Sequence, residues 1–141
     1  MAGYSPKILV EKLGLKEGFK AFALDAPKDY FELLGPLPEN ILFLTKLKPS
    51  IDFIHYFSNN REKYLKDIPR LKKALAPEGM IWVSWPKLSS GVQSDLTEKD
   101  IREIALKEGL VDIKICAVDE IWSGLKFVIP IKSRPKKEKP E

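Results

Sequence analysis

The sequence predicts a single three-layer α/β sandwich: a mostly parallel sheet covered by helices on both faces and finished by an antiparallel C-terminal hairpin. Three observations carry this expectation. Apolar runs of strand length recur along the chain, and continuous rather than alternating apolarity belongs to strands buried on both faces. Segments with helical spacing stand between them, the order from which parallel sheets are wound. The chain has 141 residues, 44% hydrophobic and 31% charged, the size and balance of one soluble domain.

Taken in order, Ser5-Pro6 offers a hydroxyl cap followed by proline at the first helical position, Ile8, Leu9 and Leu13 share a face, and Gly14 can close the turn. Residues 19–24 (FKAFAL) read as the first strand, ended by Asp25-Ala26-Pro27. Residues 29–34 read as a short helix closed by Gly35, with Gly35-Pro36-Leu37-Pro38 as a break. Residues 41–45 (ILFLT) and 51–57 (IDFIHYF) read as strands two and three. Only Leu47 to Ser50 links them, whereas a parallel crossover takes about a dozen residues. Strand two is therefore expected to be short and antiparallel, or a segment between the two to be absent.

Asn59 or Asn60 can cap the next helix, whose buried face is set by Tyr64, Ile68, Leu71 and Leu75. Pro69 predicts a kink or two short helices, the second opening near Asp67, and Pro77-Glu78-Gly79 ends the pattern. Residues 80–85 (MIWVSW) read as strand four, stopped by Pro86, and residues 87–95 as a polar loop. Thr97 stands three residues before Asp100 as in a capping box, Leu96 and Ile101 stand where a hydrophobic staple needs them, and Gly109 supplies the stop. Residues 113–118 and 125–131 read as the final two strands, with Ser123-Gly124 as the tight turn between them.

The net charge is +4, and residues 132–141 carry five Lys or Arg against two Asp or Glu. Residues 1–131, the expected single domain, are then nearly neutral, and the basic tail reads as a disordered end. A body that tracks a phosphate backbone is not indicated, so nucleic acid is not an expected partner. The first residues show no basic region followed by an apolar run, and no apolar stretch nears the ~20 residues of a membrane span, so a cytoplasmic protein away from membranes is expected. One Cys and one His exclude an internal disulfide, a cysteine metal cluster and a histidine-rich metal site.

Residues 68–83 (IPRLKKALAPEGMIWV) resemble the later half of class I S-adenosylmethionine-dependent methyltransferases, where a helix, an "LkPgG" turn and a strand follow one another. The helix from Thr97 to Gly109, then Gly109-Leu110-Val111-Asp112-Ile113-Lys114-Ile115 and a closing hairpin, resembles the end of that fold. The resemblance covers residues 19–131 in the order of elements and implies a Rossmann-like sheet, with S-adenosylmethionine as the cofactor class. In that family a glycine-rich turn follows the first strand. The matching stretch here reads Leu24-Asp25-Ala26-Pro27-Lys28-Asp29-Tyr30, with Asp25 retained and no glycine. The acid that ends the family's second strand is matched by Thr45-Lys46-Leu47-Lys48, with no carboxylate. The whole chain also resembles a small bacterial family with no assigned reaction, sharing Gly3-Tyr4-Ser5, Ser84-Trp85-Pro86-Lys87 and residues 118–127 (VDEIWSGLKF).

Ligands of open parallel sheets bind beyond the carboxyl ends of the strands. The candidates there are Asp25, Ser58, Ser84, Trp85 and Lys87, with Trp85 suited to stack on a ring and Lys87 to meet a phosphate or carboxylate. Asp119, Glu120, Trp122 and Ser123 form a polar and aromatic group beside a turn, with Asp119 and Glu120 on opposite faces if they lie in a strand. His55 is expected as a half-buried packing residue between Phe53 and Phe57, and Cys116 as an inert buried thiol. The expectation is a non-catalytic binding or interaction module that kept the fold and lost the cofactor turn. The alternatives are a methyltransferase with an atypical site at Asp25, Ser84 and Lys87, or a binder of an anionic or nucleotide ligand at Trp85, Lys87 and Trp122. The partner, a small molecule or a protein, stays open, as do the cofactor, any catalytic residue and the oligomeric state; no metal is implied.

Overall fold

The computed structural model describes residues 8–134. The cap at Ser5-Pro6, the Gly3-Tyr4-Ser5 opening and residues 135–141 of the basic tail lie outside them. The elements are α1 (Leu9–Leu13), β1 (Lys20–Leu24), α2 (Tyr30–Leu34), β2 (Leu42–Phe43), β3 (Ile51–Phe57), α3 (Arg61–Ala74), β4 (Leu75–Pro86), α4 (Glu98–Lys107), β5 (Val111–Ala117) and β6 (Trp122–Val128). They form one six-stranded sheet in the order β2-β1-β3-β4-β6-β5. The first four strands run parallel, and β6 and β5 complete the sheet antiparallel.

Two apolar clusters make the layers. Tyr64, Ile68 and Leu71 of α3 and Ile101, Ile104 and Ala105 of α4 pack on one face against Ile54, Ile81, Val83 and Phe127. Leu9, Val10 and Leu13 of α1 and Tyr30 and Leu34 of α2 pack on the other against Phe53, Phe57 and Trp82. Trp82 is fully buried and donates its Nε1–H to the Leu13 carbonyl at 2.8 Å, which fixes the end of α1 on the sheet.

The local signals work as read at several points. Gly14 ends α1 at φ 85°, and Asn60 caps α3 by accepting from the Lys63 N–H at 2.8 Å. Thr97 and Asp100 form the full capping box of α4, with Leu96 and Ile101 buried behind it.

Several expectations are corrected. Strand two is not antiparallel: β2 is a two-residue parallel strand, and β1 lies between it and β3. Leu42 is level with Lys20 and Phe53 with Ala21, so β2 pairs only the entry end of β1. Residues 44–50 then have to step sideways by two strand spacings, ~10 Å, and back by a similar distance, well within the ~23 Å that such a length of chain can span. Leu44 and Leu47 pack toward the α3–α4 cluster, so the crossover runs on that face.

Pro69 does not divide the helix: α3 is continuous from Arg61 to Ala74. Pro69 and Leu65 are both exposed, so the Leu65 carbonyl that loses its partner can be hydrated. Pro69→Ala is expected to restore that bond and to stabilise the protein by about 2–2.5 kcal/mol, the interior cost of ~3 kcal/mol less what proline saves in the unfolded chain. A shift of the urea midpoint at unchanged m-value reads this out.

Pro77-Glu78-Gly79 does not close the helix either. The helix stops at Ala74, and these residues bulge from β4, whose pairing with β3 jumps from Ile51↔Leu75 to Phe53↔Met80. Ser123-Gly124 is not a turn but the interior of β6, opposite Trp85 and Ser84. A Cβ at Gly124 would lie 3.1 Å from Ser84 Oγ and 3.2 Å from the Trp82 ring, so this glycine permits close packing. The turn is made instead by Asp119, whose Oδ1 accepts from the N–H groups of Ile121 and Trp122 at 2.8 Å each. Asp119 and Glu120 therefore lie in no strand and have no opposed faces. After β6, Ile131–Ser133 form a 3-10 turn, and Arg134 Nε donates to the Ile129 carbonyl at 2.9 Å.

Candidate functional site

The carboxyl ends of β1, β3 and β4 lie on one rim of the sheet, and the structure sorts the candidate residues there into three separate groups.

The first group is at the end of β1. Asp25 is exposed, turns the chain at φ 58°, and pairs with Lys63 of α3. Lys63 also reaches Asp67 Oδ2 at 2.7 Å, where the Tyr56 hydroxyl donates at 2.7 Å, while Arg70 holds Asp67 Oδ1 at 3.0 Å. Burial of Asp67 opposes its ionisation. The bonds from Lys63, Tyr56 and Arg70 outweigh that and hold its carboxyl below the usual carboxylate range. Asp25 is thus one end of a salt-bridge network that pins α3 to β1 and β3.

The second group is inside the sheet. Ser84 is wholly buried, and its Oγ lies 2.7 Å from His55 Nε2; Tyr30 of α2 bonds His55 Nδ1 at 2.9 Å. His55 is also fully buried rather than half-buried, stacked on Phe57 with ring centres 4.2 Å apart. Burial pushes its pKa down to about 3, so the imidazole is neutral at pH 7 and cannot meet a ligand outside the core. Trp122 lies on this face too, edge-on to Phe57 at 5.1 Å, away from Trp85. Ser58, also buried, accepts from the Asn60 N–H at 3.1 Å and closes the β3–α3 turn.

The third group forms a cleft. Trp85, Pro86 and Lys87 at the end of β4, Ser123 of β6, and Leu96, Thr97 and Glu98 at the start of α4 line a volume of about 410 Å³. Lys87 is half-buried, and its Nζ donates to the Asp119 carbonyl at 2.7 Å. That bond brings Lys87 and Asp119 together through backbone, while the Asp119 carboxylate serves its own turn. Glu98 pairs with Arg102 at 2.9 Å, a cation it shares with Asp112. Among the described residues Lys87 has no carboxylate partner. Trp85 is only 7% exposed and belongs mainly to the α3–α4 core, so it presents an edge to the cleft rather than a free stacking face.

Sequence reasoning missed the neighbouring polar cleft of about 390 Å³ between Asn59, Asn60, Gln93, Ser94 and Asp95. Asp95 Oδ1 accepts from the Arg61 N–H at 2.7 Å, and the Asn59 side chain donates to the Gln93 carbonyl at 3.3 Å. The signal was the run of amide and hydroxyl residues in the 87–95 loop, which reads only as a loop until α3 and α4 are placed side by side. Cys116 is half-exposed rather than buried; burial still pushes its thiol up, against the pull of Lys12 and Lys114.

No family model matches this chain, and no curated protein matches it. Solved structures do. Magnesium protoporphyrin IX methyltransferase from Synechocystis PCC 6803 with bound S-adenosylhomocysteine superposes with TM-score 0.57 at 14% identity over 86% of this chain and 78% of that one. An S-adenosylmethionine-dependent methyltransferase from Aquifex aeolicus gives 0.57 at 14% identity over 85% and 87%. A TehB-like methyltransferase from Corynebacterium glutamicum gives 0.58 at 12% identity over 92% and 91%. The fold is methyltransferase-like. At these identities the likeness concerns the fold alone.

The residues present do not fit S-adenosylmethionine on a glycine-type turn after β1. The Asp25 carboxylate is taken by Lys63, Ala26 packs its side chain into the α1–α2 cluster, and the Pro27 carbonyl accepts from the Tyr30 N–H at 3.1 Å to open α2. Tyr30 then fills the space beneath that turn, 2% exposed. Beyond β2 the chain dives into the core at Leu44, with no carboxylate in the Thr45-Lys46-Leu47-Lys48 stretch to hold a ribose. No described helix is long and apolar enough to cross a membrane.

Proposed function

We propose that this chain is a ligand-binding protein on a methyltransferase-like scaffold, taking a small anionic or nucleotide ligand in the cleft between β4, β6 and α4. The observation that carries the reading is the Lys87 ammonium: it is half-buried in a cleft of about 410 Å³ and spends one of its three protons on a backbone carbonyl, with no carboxylate among the described residues to satisfy the rest. The volume falls in the range of small-ligand sites. Binding without turnover is the form proposed, because His55 and Ser84 are sealed in the core. The fold favours a second reading, S-adenosylmethionine-dependent methyl transfer at an atypical site, since a structural neighbour carries S-adenosylhomocysteine.

A thermal-unfolding titration separates the two. Adenosine diphosphate, inorganic phosphate, S-adenosylmethionine and S-adenosylhomocysteine are added to the native protein and to Lys87→Ala, whose own stability is expected to change by less than about 1 kcal/mol. A ligand at ~100 times its Kd adds ~2.7 kcal/mol, a shift of several degrees for a domain of this size. A saturable shift with the phosphate ligands that disappears in Lys87→Ala supports the cleft. A shift with the sulfonium cofactor that survives Lys87→Ala supports methyl transfer instead. No shift with any of the four defeats both.

A further inference from the structure

We propose that the outer edge of β5 takes an acidic, extended segment of a partner protein as an added strand. Among the described residues β5 (Val111–Ala117) is the last strand of the sheet and pairs only with β6, so alternate backbone groups along its other side have no strand partner there and can bond a new strand. Ile113 and Ile115 are 53% and 52% exposed along it. The sign of the partner's charge follows from the register. Lys114 lies directly opposite Lys126 of β6, and Lys126 is level with Trp82 of β4. Trp82 holds the Leu13 carbonyl, which brings Lys12 and Lys16 to the same face.

These four lysines form no ion pair among the described residues. The Lys126 ammonium is held below its usual value by burial and by Lys114 and Lys16. The one carboxylate of β5, Asp112, is turned to the opposite face, where Arg102 Nε holds it at 3.2 Å. Directly opposed like charges weaken a strand pair, so the Lys114–Lys126 pair is a cost that an acidic neighbour would relieve. A second copy of this chain would bring its own Lys114 to the same edge and add to that cost. The fitting occupant alternates acidic and aliphatic residues. Its acids would stand on the α1 face over Lys114 and Lys126, and its aliphatic residues on the α4 face beside Ile115.

The test uses the full-length protein, isotopically labelled, with a short synthetic peptide alternating Glu and Val, its Lys and Val counterpart, and inorganic polyphosphate. Expected are saturable binding of the acidic peptide, slowed hydrogen exchange at outward-facing β5 amides, and weakening by about tenfold or more in Lys114→Glu. The Lys and Val peptide should gain affinity for that variant. Lys114 is exposed, and Lys114→Glu turns its like-charge pair with Lys126 into an opposite-charge one, so a melting temperature no lower than that of the native protein shows that the fold is kept. Acidic-peptide binding without β5 protection, equal competition by polyphosphate, or indifference to Lys114→Glu each overturns strand addition, as does absence of binding.

Discussion

Between pH 6 and 4.5 the protein is expected to lose about 1.4 kcal/mol of stability for each unit of pH, and His55→Gln is expected to abolish that slope. His55 is the chain's one histidine, so no other imidazole titrates in this window. Its ordinary pKa of 6.5 applies to the unfolded chain, and burial lowers it to about 3 in the folded protein. Between those values the unfolded chain binds a proton that the folded one does not, so acid favours unfolding. Above pH 6.5 the imidazole is neutral in both states and contributes no slope. Asp67, with its carboxyl lowered in the fold, adds its own loss only as pH falls toward and below the ordinary carboxylate value of 3.8. Urea unfolding of both proteins across this range reads the two slopes, and a flat wild-type curve would show that His55 is not sealed. Replacement by alanine should be far worse than by glutamine, at about 3–5 kcal/mol, because it leaves a cavity and strips the Tyr30 and Ser84 hydroxyls of their partner.

Trp82→Ala is expected to cost about 3–5 kcal/mol, a large share of the 5–15 kcal/mol typical of a whole domain. Trp82 fills the layer between the sheet and α1 at zero exposure, and its indole N–H satisfies a carbonyl at the end of that helix. Trp82→Phe separates the two roles. It keeps most of the apolar contact and leaves the Leu13 carbonyl without a donor, for about 1–2 kcal/mol. A helix of five residues has no stability of its own, so both variants should raise amide exchange in α1 well before the rest of the molecule opens. Equal losses from the two variants would place the whole effect in the hydrogen bond.

The parts of the fold that were legible in the sequence are those written in local chemistry. Asn60, Thr97 with Asp100, and Gly14 each act on backbone groups within a few residues, and β3 was bounded by its own apolar run. Two of the misreadings share a cause, which is that a glycine's neighbour lay far along the chain. Gly124 looks like a turn residue until Ser84 and Trp82 arrive from β4 to occupy the space where its side chain would be. Gly79 is similar, with the Ile51 carbonyl 2.8 Å from where its Cβ would stand. Pro69 breaks a pattern on paper but faces water in place. In the site, Lys87 beside Trp85 was visible as a strand-end pair. That Ser84 and Trp122 turn to the other face follows from alternation along β4 and β6, and needed only the register to be known. The approach of α4 to Lys87 had no local signal, and the polar cleft beside it had only the amide and hydroxyl run of the 87–95 loop, which does not show what it faces.

The crossover after β2 sets where this architecture can grow. Thr45, Lys46, Lys48, Pro49 and Ser50 are exposed, and among the described residues no strand borders β2 on its outer side. An insertion there would add strands outward from β2 and leave β1, β3 and the four strands' shared core untouched. Doubling the length of such a connection costs only ~0.6 kcal/mol in closure entropy. Residues 48–50 are therefore the place for a grafted domain, a reporter or a cut between fragments meant to reassemble, and the hairpin side of the sheet would not register the change.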